Sequence, residues 1–301
     1  MVVLKIIKRK RLLDIILLIV IILLTTSLII KFTYENEEEM IRGGLKGQIA
    51  FGIYNKGKIL DSGSSIDSDM ANHTLNISHN LYHERKYKII VLVDFEQVEF
   101  LVDNKKVYSY DVDMEAVDEV EVDINVDYSK DAKELCYLII KKPEYFTDER
   151  DIRELSSLKE LMCLRYNLNE NPKHIIYEKN LDSIDGKPLD EIFLTDKEEE
   201  LKVITASNSN EEKKLVLGNL REHEIDYAVV QFVNWEQVPF QNGNRVNYFE
   251  LMPDGNISYS VNIPEANKDS IVQYVAFSYP YTISENGLYS LVMGTFRVTV
   301  L

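Results

Sequence analysis

The 301-residue sequence has few cysteines, since only Cys136 and Cys163 are present. Two thiols permit at most one bridge, which excludes a small domain held together by a disulfide framework. Neither cysteine directly follows the apolar N-terminal run, so a lipidated cysteine is excluded as the anchor. We expect buried free thiols, although a bridge between the two residues stays open as an alternative.

Motifs for common catalytic chemistry are also missing. The chain has no nucleophile elbow, phosphate-binding loop or dinucleotide-binding fingerprint, and its five histidines form no ligand cluster. His83 and Glu84 begin a segment similar to a zinc-protease motif, but Tyr87 stands where the second histidine would be required. We interpret Tyr87 as an inward-facing tyrosine beside a turn, and we expect neither an enzyme nor a cofactor or metal site.

Basic residues are scarce beyond the N-terminus. The sequence holds 34 Lys and Arg and 50 Asp and Glu; six of the former but only one of the latter lie in residues 1–34, which leaves a net charge of −21 for the rest. This charge repels a phosphate backbone, so nucleic acid is excluded as a partner.

The acidic residues between Asp111 and Asp127 could together bind calcium, which needs six to eight oxygen ligands. However, Glu121 and Asp123 alternate with valines along the chain. That alternation is typical of a strand with one solvated face, which is the interpretation that we favour.

The N-terminus combines a basic cluster with a long apolar run. Residues 8–11 are all basic and precede an apolar run from Leu12 to Ile30. This run rises about 28 Å as a helix, close to the roughly 30 Å hydrocarbon core of a bilayer. We predict a cytoplasmic tail at residues 1–11, a transmembrane signal anchor at 12–31, a stalk at 32–46 and the rest of the chain outside the cell.

A cleaved signal peptide is the alternative interpretation of this segment. Thr25 and Ser27 would then provide a poor small-x-small cleavage site. We favour an uncleaved anchor because Leu28, Ile29 and Ile30 extend the apolar run beyond that site. Either interpretation places the bulk of the chain outside the cytoplasm.

The rest of the chain contains two related segments, residues 83–104 and 223–244. Aligned at a constant offset of 140 positions without gaps, they share nine identities, whereas background usage would give about one or two. A repeat of this length indicates duplication of a whole domain rather than a solenoid. The identical pairs are His83/His223, Glu84/Glu224, Tyr87/Tyr227, Val93/Val233, Glu96/Glu236, Gln97/Gln237, Val98/Val238, Phe100/Phe240 and Asn104/Asn244.

Short β-rich runs recur in each half. Val98, Phe100 and Val102 occupy alternate positions before Asp103-Asn104, which is typical of an antiparallel hairpin. We therefore predict a mainly β fold with two tandem β-sandwich domains of immunoglobulin-like architecture, at residues 47–146 and 201–301. The predicted strands include residues 88–93, 106–112, 120–126, 135–140, 228–233, 246–252, 257–261, 271–277 and 295–300, with a further hairpin at 281–292.

A short helix and a connector separate the predicted sandwiches, at residues 147–200. Thr147 or Asp148 suits the N-terminal cap of this helix. Apolar residues at helical spacing predict its length, and these are Ile152, Leu155, Leu158, Leu161 and Leu164. The following region, rich in Asn, Asp, Lys and Glu, predicts a connector with only short strands, including residues 201–205.

The repeated corner offers candidate binding residues. Polar side chains beside an aromatic ring suit hydrogen-bonded recognition, and both copies carry such a group. The same residues could instead close a strand corner by bonding free backbone groups, and we favour this structural interpretation because duplicated copies share a fold before they share a ligand. The candidates are Phe95, Glu96, Gln97, Trp235, Glu236 and Gln237.

This architecture resembles that of envelope proteins of Gram-positive bacteria that carry β-sandwich modules on a signal anchor. We expect a non-catalytic, membrane-anchored binding or scaffold protein whose partner is another envelope protein. It would cross the cell membrane once, with the N-terminus cytoplasmic and the C-terminal domain extracellular. The alternative is an accessory or sensory subunit of a membrane complex for transport or envelope assembly, in which the anchor helix makes specific contacts.

Overall fold

A computed structural model describes residues 48–66, 72–145, 152–169, 174–179, 181–196, 204–282 and 292–301. The predicted tail, membrane span and stalk at residues 1–46 lie outside these ranges. Within the ranges, no helix is long and apolar enough to cross a membrane. Residues Ile49–Leu301 form one compact unit.

The first half of this unit is a β-sandwich. One antiparallel sheet has the strand order β2-β1-β3-β9-β6-β7, and the facing layer contains β4 with its neighbours β5, β8 and β10. Ile53, Leu75, Ile89 and Tyr137 from the two layers pack in one buried core. The strands are β1 (Ile49–Asn55), β2 (Lys58–Leu60), β3 (Asn72–His79), β4 (Arg85–Val93), β5 (Glu96–Gln97), β6 (Phe100–Val102), β7 (Lys105–Val107), β8 (Ser109–Met114), β9 (Asp118–Val126) and β10 (Glu134–Lys141).

A helix and a strand follow in direct succession between the halves. Helix α1 spans Ile152–Lys159, and strand β11 spans Glu160–Asn167. We expected the helix to continue through Leu161 and Leu164, and that prediction was wrong. Strand β11 pairs antiparallel with β10 along most of its length, so tertiary pairing overrides the helical spacing of these leucines.

The second half is also a β-sandwich. A sheet with the order β12-β19-β15-β13 faces a layer in which β16 pairs with β17, β18 and β20. Leu215, Val229, Tyr259 and Tyr274 belong to their common core. The strands are β12 (Asp182–Ser183), β13 (Ile192–Thr195), β14 (Ala206–Ser207), β15 (Glu212–Gly218), β16 (Ile225–Val233), β17 (Glu236–Val238), β18 (Asn247–Leu251), β19 (Asn256–Asn262), β20 (Ile271–Ser278), β21 (Val292–Gly294) and β22 (Val298–Val300). Strands β12 and β13 come from the predicted connector, which therefore contributes to this sheet.

The inner layers of the two sandwiches are buried on both of their faces. Along β10, Tyr137 faces the core of the first sandwich, whereas Leu138 faces the second half. Along β20, Tyr274 faces the core of the second sandwich, whereas Val275 faces the first half. This double burial explains why both strands are nearly continuous apolar runs instead of alternating ones.

Strand β11 joins the two halves through the backbone. It pairs with β10 on one side, and its Glu160 and Leu161 pair with Met293 and Val292 of β21. Among the described residues, this pairing links the inner layers into one 12-stranded sheet. The halves are thus continuous in backbone hydrogen bonding as well as in packing.

Several local predictions can be compared with this fold. The hairpin at Asp103-Asn104 is confirmed: both residues have positive φ, 51° and 62°, and they join β6 to β7. The solvated acidic face is confirmed too, because Glu121 and Asp123 are exposed while Val122 is buried. The predicted hairpin at 281–292 and strand at 201–205 lie mostly outside the described residues.

Both cysteines are free and buried, as expected. Cys136 on β10 and Cys163 on β11 belong to the apolar cluster between the halves. Burial raises the pKa of the Cys136 thiol, with a further increase from its hydrogen bond to Cys163. A protonated buried thiol is a poor nucleophile, so Cys136 acts in packing.

Candidate functional site

The turns at Asp94-Phe95 and Asn234-Trp235 place the repeated aromatic residues. All four residues have positive φ, between 49° and 70°, so each turn has the type I′ pattern. Asp94 Oδ1 accepts hydrogen bonds of 2.8 and 3.0 Å from the amides of residues 133 and 134, and Asn234 Oδ1 accepts one of 2.8 Å from the amide of residue 271. The short polar side chain therefore holds each turn against the neighbouring strand.

The two aromatic side chains are buried where the sandwiches meet. Phe95 is 0% exposed and lies 5.2 Å, between ring centroids, from Phe277 of the other half. Trp235 is 4% exposed, and its Nε1 donates a 2.8 Å hydrogen bond to the carbonyl of Pro143 in the first half. Each aromatic residue of the repeat thus contacts the opposite sandwich.

The two repeated glutamines bond each other across the same boundary. The backbone amide of Gln97 donates to Gln237 Oε1, and the backbone amide of Gln237 donates to Gln97 Oε1, both at 2.6 Å. In addition, Gln97 Nε2 donates to the Trp235 carbonyl at 3.1 Å, and Gln237 Nε2 donates to the Phe95 carbonyl at 3.0 Å. The two glutamines therefore form a reciprocal set of four hydrogen bonds, in which each side chain bonds backbone groups at the strand corner of the other half.

Two buried arginines repeat this reciprocity. Arg165 donates from Nη1 to the Ser278 carbonyl, and its Cζ lies 5.5 Å from the Phe95 ring centroid. Arg297 donates to the Lys142 carbonyl at 2.5 Å, and its Cζ lies 4.6 Å from the Trp235 ring centroid. Guanidinium groups stack well on aromatic faces, so each arginine fixes an aromatic residue of its own half while bonding the backbone of the other.

Glu134 balances the charge of Arg165. Its carboxylate is fully buried, accepts a hydrogen bond from Arg165 Nε and accepts another of 2.8 Å from the Tyr281 amide. Burial alone would lower the pKa of Arg165, but the adjacent Glu134 carboxylate and its hydrogen bond raise that pKa above its usual value. Arg165 is therefore charged and forms a buried ion pair with Glu134, and Glu134 links this pair to the second half through the Tyr281 amide.

We call this set of contacts the inter-sandwich interface, and most of the predicted binding residues lie in it. Phe95, Gln97, Trp235 and Gln237 are buried, and their polar atoms bond within the protein. The two predicted glutamates are exposed beside the interface, at positions 96 and 236. The structure brings both repeated corners together, with their aromatic and amide groups directed at each other.

Sequence reasoning missed three polar residues of the interface: Glu134, Arg165 and Arg297. Each was visible in the sequence as a charged residue beside apolar neighbours. A charge in such a place needs a buried partner, so this pattern is a usable signal. The identity of the partners depends on the contact between the halves and was not readable from local sequence.

The repeated tyrosines have the predicted inward orientation. Tyr87 is 0% exposed, and its hydroxyl lies 2.9 Å from His79 Nδ1. Tyr227 is 4% exposed, and its hydroxyl donates a 3.1 Å hydrogen bond to the Gly218 carbonyl. The expectation of an inward tyrosine beside a turn is therefore confirmed in both copies.

A polar cleft of about 610 Å³ opens at the outer sheet of the first sandwich. We call it the end cleft; its lining includes Tyr54, Asn55, Asn72, Thr74, Asn104 and Asn125. Two cross-strand hydrogen bonds order the lining: Thr74 Oγ1 donates to Asp123 Oδ1 at 2.7 Å, and Asn125 Nδ2 donates to Asn72 Oδ1 at 2.6 Å. The side chains are thus held in a fixed arrangement.

His73 lies at the base of the end cleft. Its side chain is 3% exposed, and its Nδ1 lies 2.5 Å from the Tyr137 hydroxyl. Among the residues that the structure describes, its buried Nε2 has no hydrogen-bond partner. Burial lowers the pKa of His73 to about 4, so the imidazole is neutral near pH 7. An unsatisfied buried polar atom is costly, which makes Nε2 an unusual feature of the cleft.

Three carboxylates meet on the second sandwich, at Glu224, Asp226 and Glu250. Their oxygens lie within 4.8 Å of one another, a spacing that among the described residues only this group reaches. The Tyr177 hydroxyl donates a 3.0 Å hydrogen bond to Asp226 Oδ2. Burial and the neighbouring acids raise the pKa of Glu250, and burial, followed by the Glu224 charge, raises that of Asp226. Two of the three residues are exposed, so the cluster by itself assigns no ion.

Replacing Glu250 with glutamine should increase the free energy of unfolding at pH 7. The folded state raises the pKa of Glu250, so folding takes up protons, and stability falls as pH rises from the unfolded pKa through the folded one. The gain should therefore vanish below about pH 4, where the wild-type carboxyl is also protonated. Thermal unfolding at pH 7 and at about pH 4 measures this gain in stability. An equal gain from Glu121→Gln, on the solvated face of β9, would show that the gain does not come from the carboxylate cluster.

No protein-family model matches the sequence, and no curated protein matches it. Solved structures with a weak likeness to this chain include the E. coli chaperone DraB, with a TM-score of 0.25 and 11% identity over 85% of this chain and 99% of that chain. The Salmonella enterica SafA pilin in complex with the SafB chaperone has a TM-score of 0.23 and 12% identity, over 82% and 95%.

A transglutaminase from red sea bream has a similar score, 0.22, with 7% identity over 86% of this chain and 32% of that chain. Non-enzymatic chaperones and an enzyme thus occur at comparable values. At TM-scores below 0.5 these likenesses carry no argument about function, which has to come from the geometry of the chain itself.

Proposed function

We propose that the chain is a non-catalytic, extracytoplasmic binding or scaffold protein in which two immunoglobulin-like sandwiches act as one body. The observation that carries this proposal is the inter-sandwich interface. Its reciprocal glutamines and arginines, and the apolar cluster around Leu138 and Val275, hold the two halves in a single orientation. A fixed orientation suits a protein that presents surfaces from both halves to one partner.

Membrane attachment through residues 12–31 is part of the same proposal. The apolar length of this run and the basic residues before it support a single crossing with the N-terminus in the cytoplasm. The net charge of −21 beyond residue 34 keeps such an ectodomain soluble and disfavours direct contact with anionic lipid. The partner is therefore proposed to be another protein of the envelope.

Site-specific photocrosslinking of the full chain in its native membranes tests this function. Exposed apolar residues in each part of the unit provide positions for the photoreactive group: Ile59, Ile176 and Met252, which are 59%, 74% and 64% exposed. We expect at least one position to crosslink reproducibly to a single envelope protein, and the yield should fall when the interface is weakened by Gln97→Ala with Gln237→Ala.

Samples kept in the dark provide the control for nonspecific adducts. Absence of any protein crosslink at all three positions, in cells that carry native levels of the chain, would contradict the proposed function. Protease treatment of intact cells checks the topology separately, because an ectodomain outside the membrane should be digested without lysis.

A further inference from the structure

The two halves treat one buried position in opposite ways. Leu75 on β3 and Leu215 on β15 are both 0% exposed and lie 140 positions apart, so the repeat spacing extends back to these strands. At the same spacing, His73 corresponds to Lys213. Lys213 is 5% exposed, and its Nζ contacts Asp196 and Glu211 at 2.7 and 2.5 Å. The second sandwich therefore satisfies this position internally, whereas in the first the buried His73 Nε2 has no partner among the described residues and lies at the base of a cleft.

The polar, mostly uncharged lining of the end cleft indicates which class of ligand it can bind. Four asparagines line it, and a carboxamide offers both hydrogen-bond donors and acceptors. The charged residues of the lining are Lys56, Asp103 and Asp123, and Asp123 already accepts the Thr74 hydroxyl. Because one lysine stands against two carboxylates, the lining has no excess positive charge to bind an anionic ligand. A ligand with many neutral groups that both donate and accept fits this lining.

Size and shape agree with such a ligand. A volume of 610 Å³ lies within the range of about 300–1,000 Å³ that small-molecule sites occupy. Tyr54 adds a partly exposed aromatic ring at the wall, which provides an apolar face beside the polar groups. Hydroxyl groups around an apolar ring are the defining chemistry of a saccharide. Since His73 Nε2 has no hydrogen-bond partner in the described part of the chain, a ligand hydroxyl could bond it after a small local opening.

We propose that the end cleft binds a neutral saccharide, with Asn72 and Asn125 as the main hydrogen-bonding groups and His73 at its base. The inference rests on the proposed binding function and gives it a ligand class. The second sandwich takes no such ligand at the corresponding place, because its Lys213 is already paired.

Calorimetric titration of the full chain in phospholipid nanodiscs with maltose, cellobiose and lactose tests this proposal. Nanodiscs avoid detergents with sugar head groups, which would compete for the cleft. We expect at least one disaccharide to bind. Asn125→Ala should weaken it about fivefold to tenfold, as expected for the loss of one or two net hydrogen bonds. His73→Leu, which removes the ring nitrogens, should weaken it as well.

Asn262→Ala is the matched control, because Asn262 pairs with Glu212 in the second sandwich as Asn125 pairs with Asn72 in the first. It should leave the affinity unchanged. The inference is overturned if none of the three sugars binds at about 10 mM, if Asn125→Ala has no effect, or if Asn262→Ala weakens binding equally. Asn125 is partly exposed, so its variant reports on binding even if His73→Leu does not fold.

The two proposals fail separately. If an envelope protein is crosslinked but no sugar binds, only the ligand class is wrong. If a sugar binds through Asn125 and no protein is crosslinked, the cleft is a saccharide site on a protein without the proposed scaffold role.

Discussion

Replacing Glu134 with alanine should lower the free energy of unfolding of the full chain by about 3–5 kcal/mol. The change leaves Arg165, which is 3% exposed, without the carboxylate that balances its charge, and it removes the acceptor of the Tyr281 backbone amide. Urea unfolding measures the loss, followed by fluorescence of Trp235, which is the one tryptophan of the sequence and lies in the inter-sandwich interface.

The pair of Lys88 and Asp111 provides the matched control for this prediction. It has an N–O distance of 2.5 Å, but its carboxylate side chain is 64% exposed, so Asp111→Ala should cost less than about 1 kcal/mol. Removing both buried partners, as Glu134→Leu with Arg165→Leu, should recover part of the loss because no charge remains unpaired. Equal costs for Glu134→Ala and Asp111→Ala would contradict the assigned role.

A double-mutant cycle on Gln97 and Gln237 should give a coupling free energy of about 1–3 kcal/mol. Replacing either glutamine with alanine removes the hydrogen bonds of that side chain and leaves the backbone amide of the other glutamine without its acceptor. Each single change should lower the free energy of unfolding by about 2–3 kcal/mol. The second change then costs less, since the shared hydrogen bonds are already lost. The unfolding free energies of the wild type, both single variants and the double variant define the cycle.

Gln241 serves as the control for glutamine truncation within one half. Its side chain donates a 2.7 Å hydrogen bond to the Ser260 carbonyl at an exposed position. Gln241→Ala should therefore cost less than about 1 kcal/mol and should add to the effect of Gln97→Ala without coupling. Simple additivity between Gln97 and Gln237 would show that the two corners do not act as a unit.

Local sequence was sufficient for some of the strands and for several turns, whereas β1, β3 and β15 were not predicted. Alternation placed the strand around Val122, and Asp103-Asn104 gave a turn whose two positive φ values such residues tolerate. The repeat itself identified Gln97 and Gln237 as important. What it did not show is that each residue is the partner of the other, because an offset of 140 positions says nothing about which surfaces meet.

The wrong helix boundary has a related cause. Leu158, Leu161 and Leu164 have helical spacing, but the last two lie on a strand between β10 and β21. Leu161 and Cys163 face the interface, a buried surface that exists only when both halves are present. A local pattern cannot include that contact. The end cleft could not be predicted for a similar reason, because Asn72 and Asn125 are far apart in sequence and meet only when β3 pairs with β9.

The shared boundary also has a consequence for how the chain is made. The ribosome completes the first sandwich long before it adds Trp235 and Arg297. The apolar surface formed by Ile90, Leu92 and Leu138, which the second half later covers, therefore stays exposed to water and prone to aggregation during synthesis. The emerging chain carries this exposed apolar surface until nearly its last residues are made. Folding of the newly made chain therefore competes with aggregation until the second sandwich is complete.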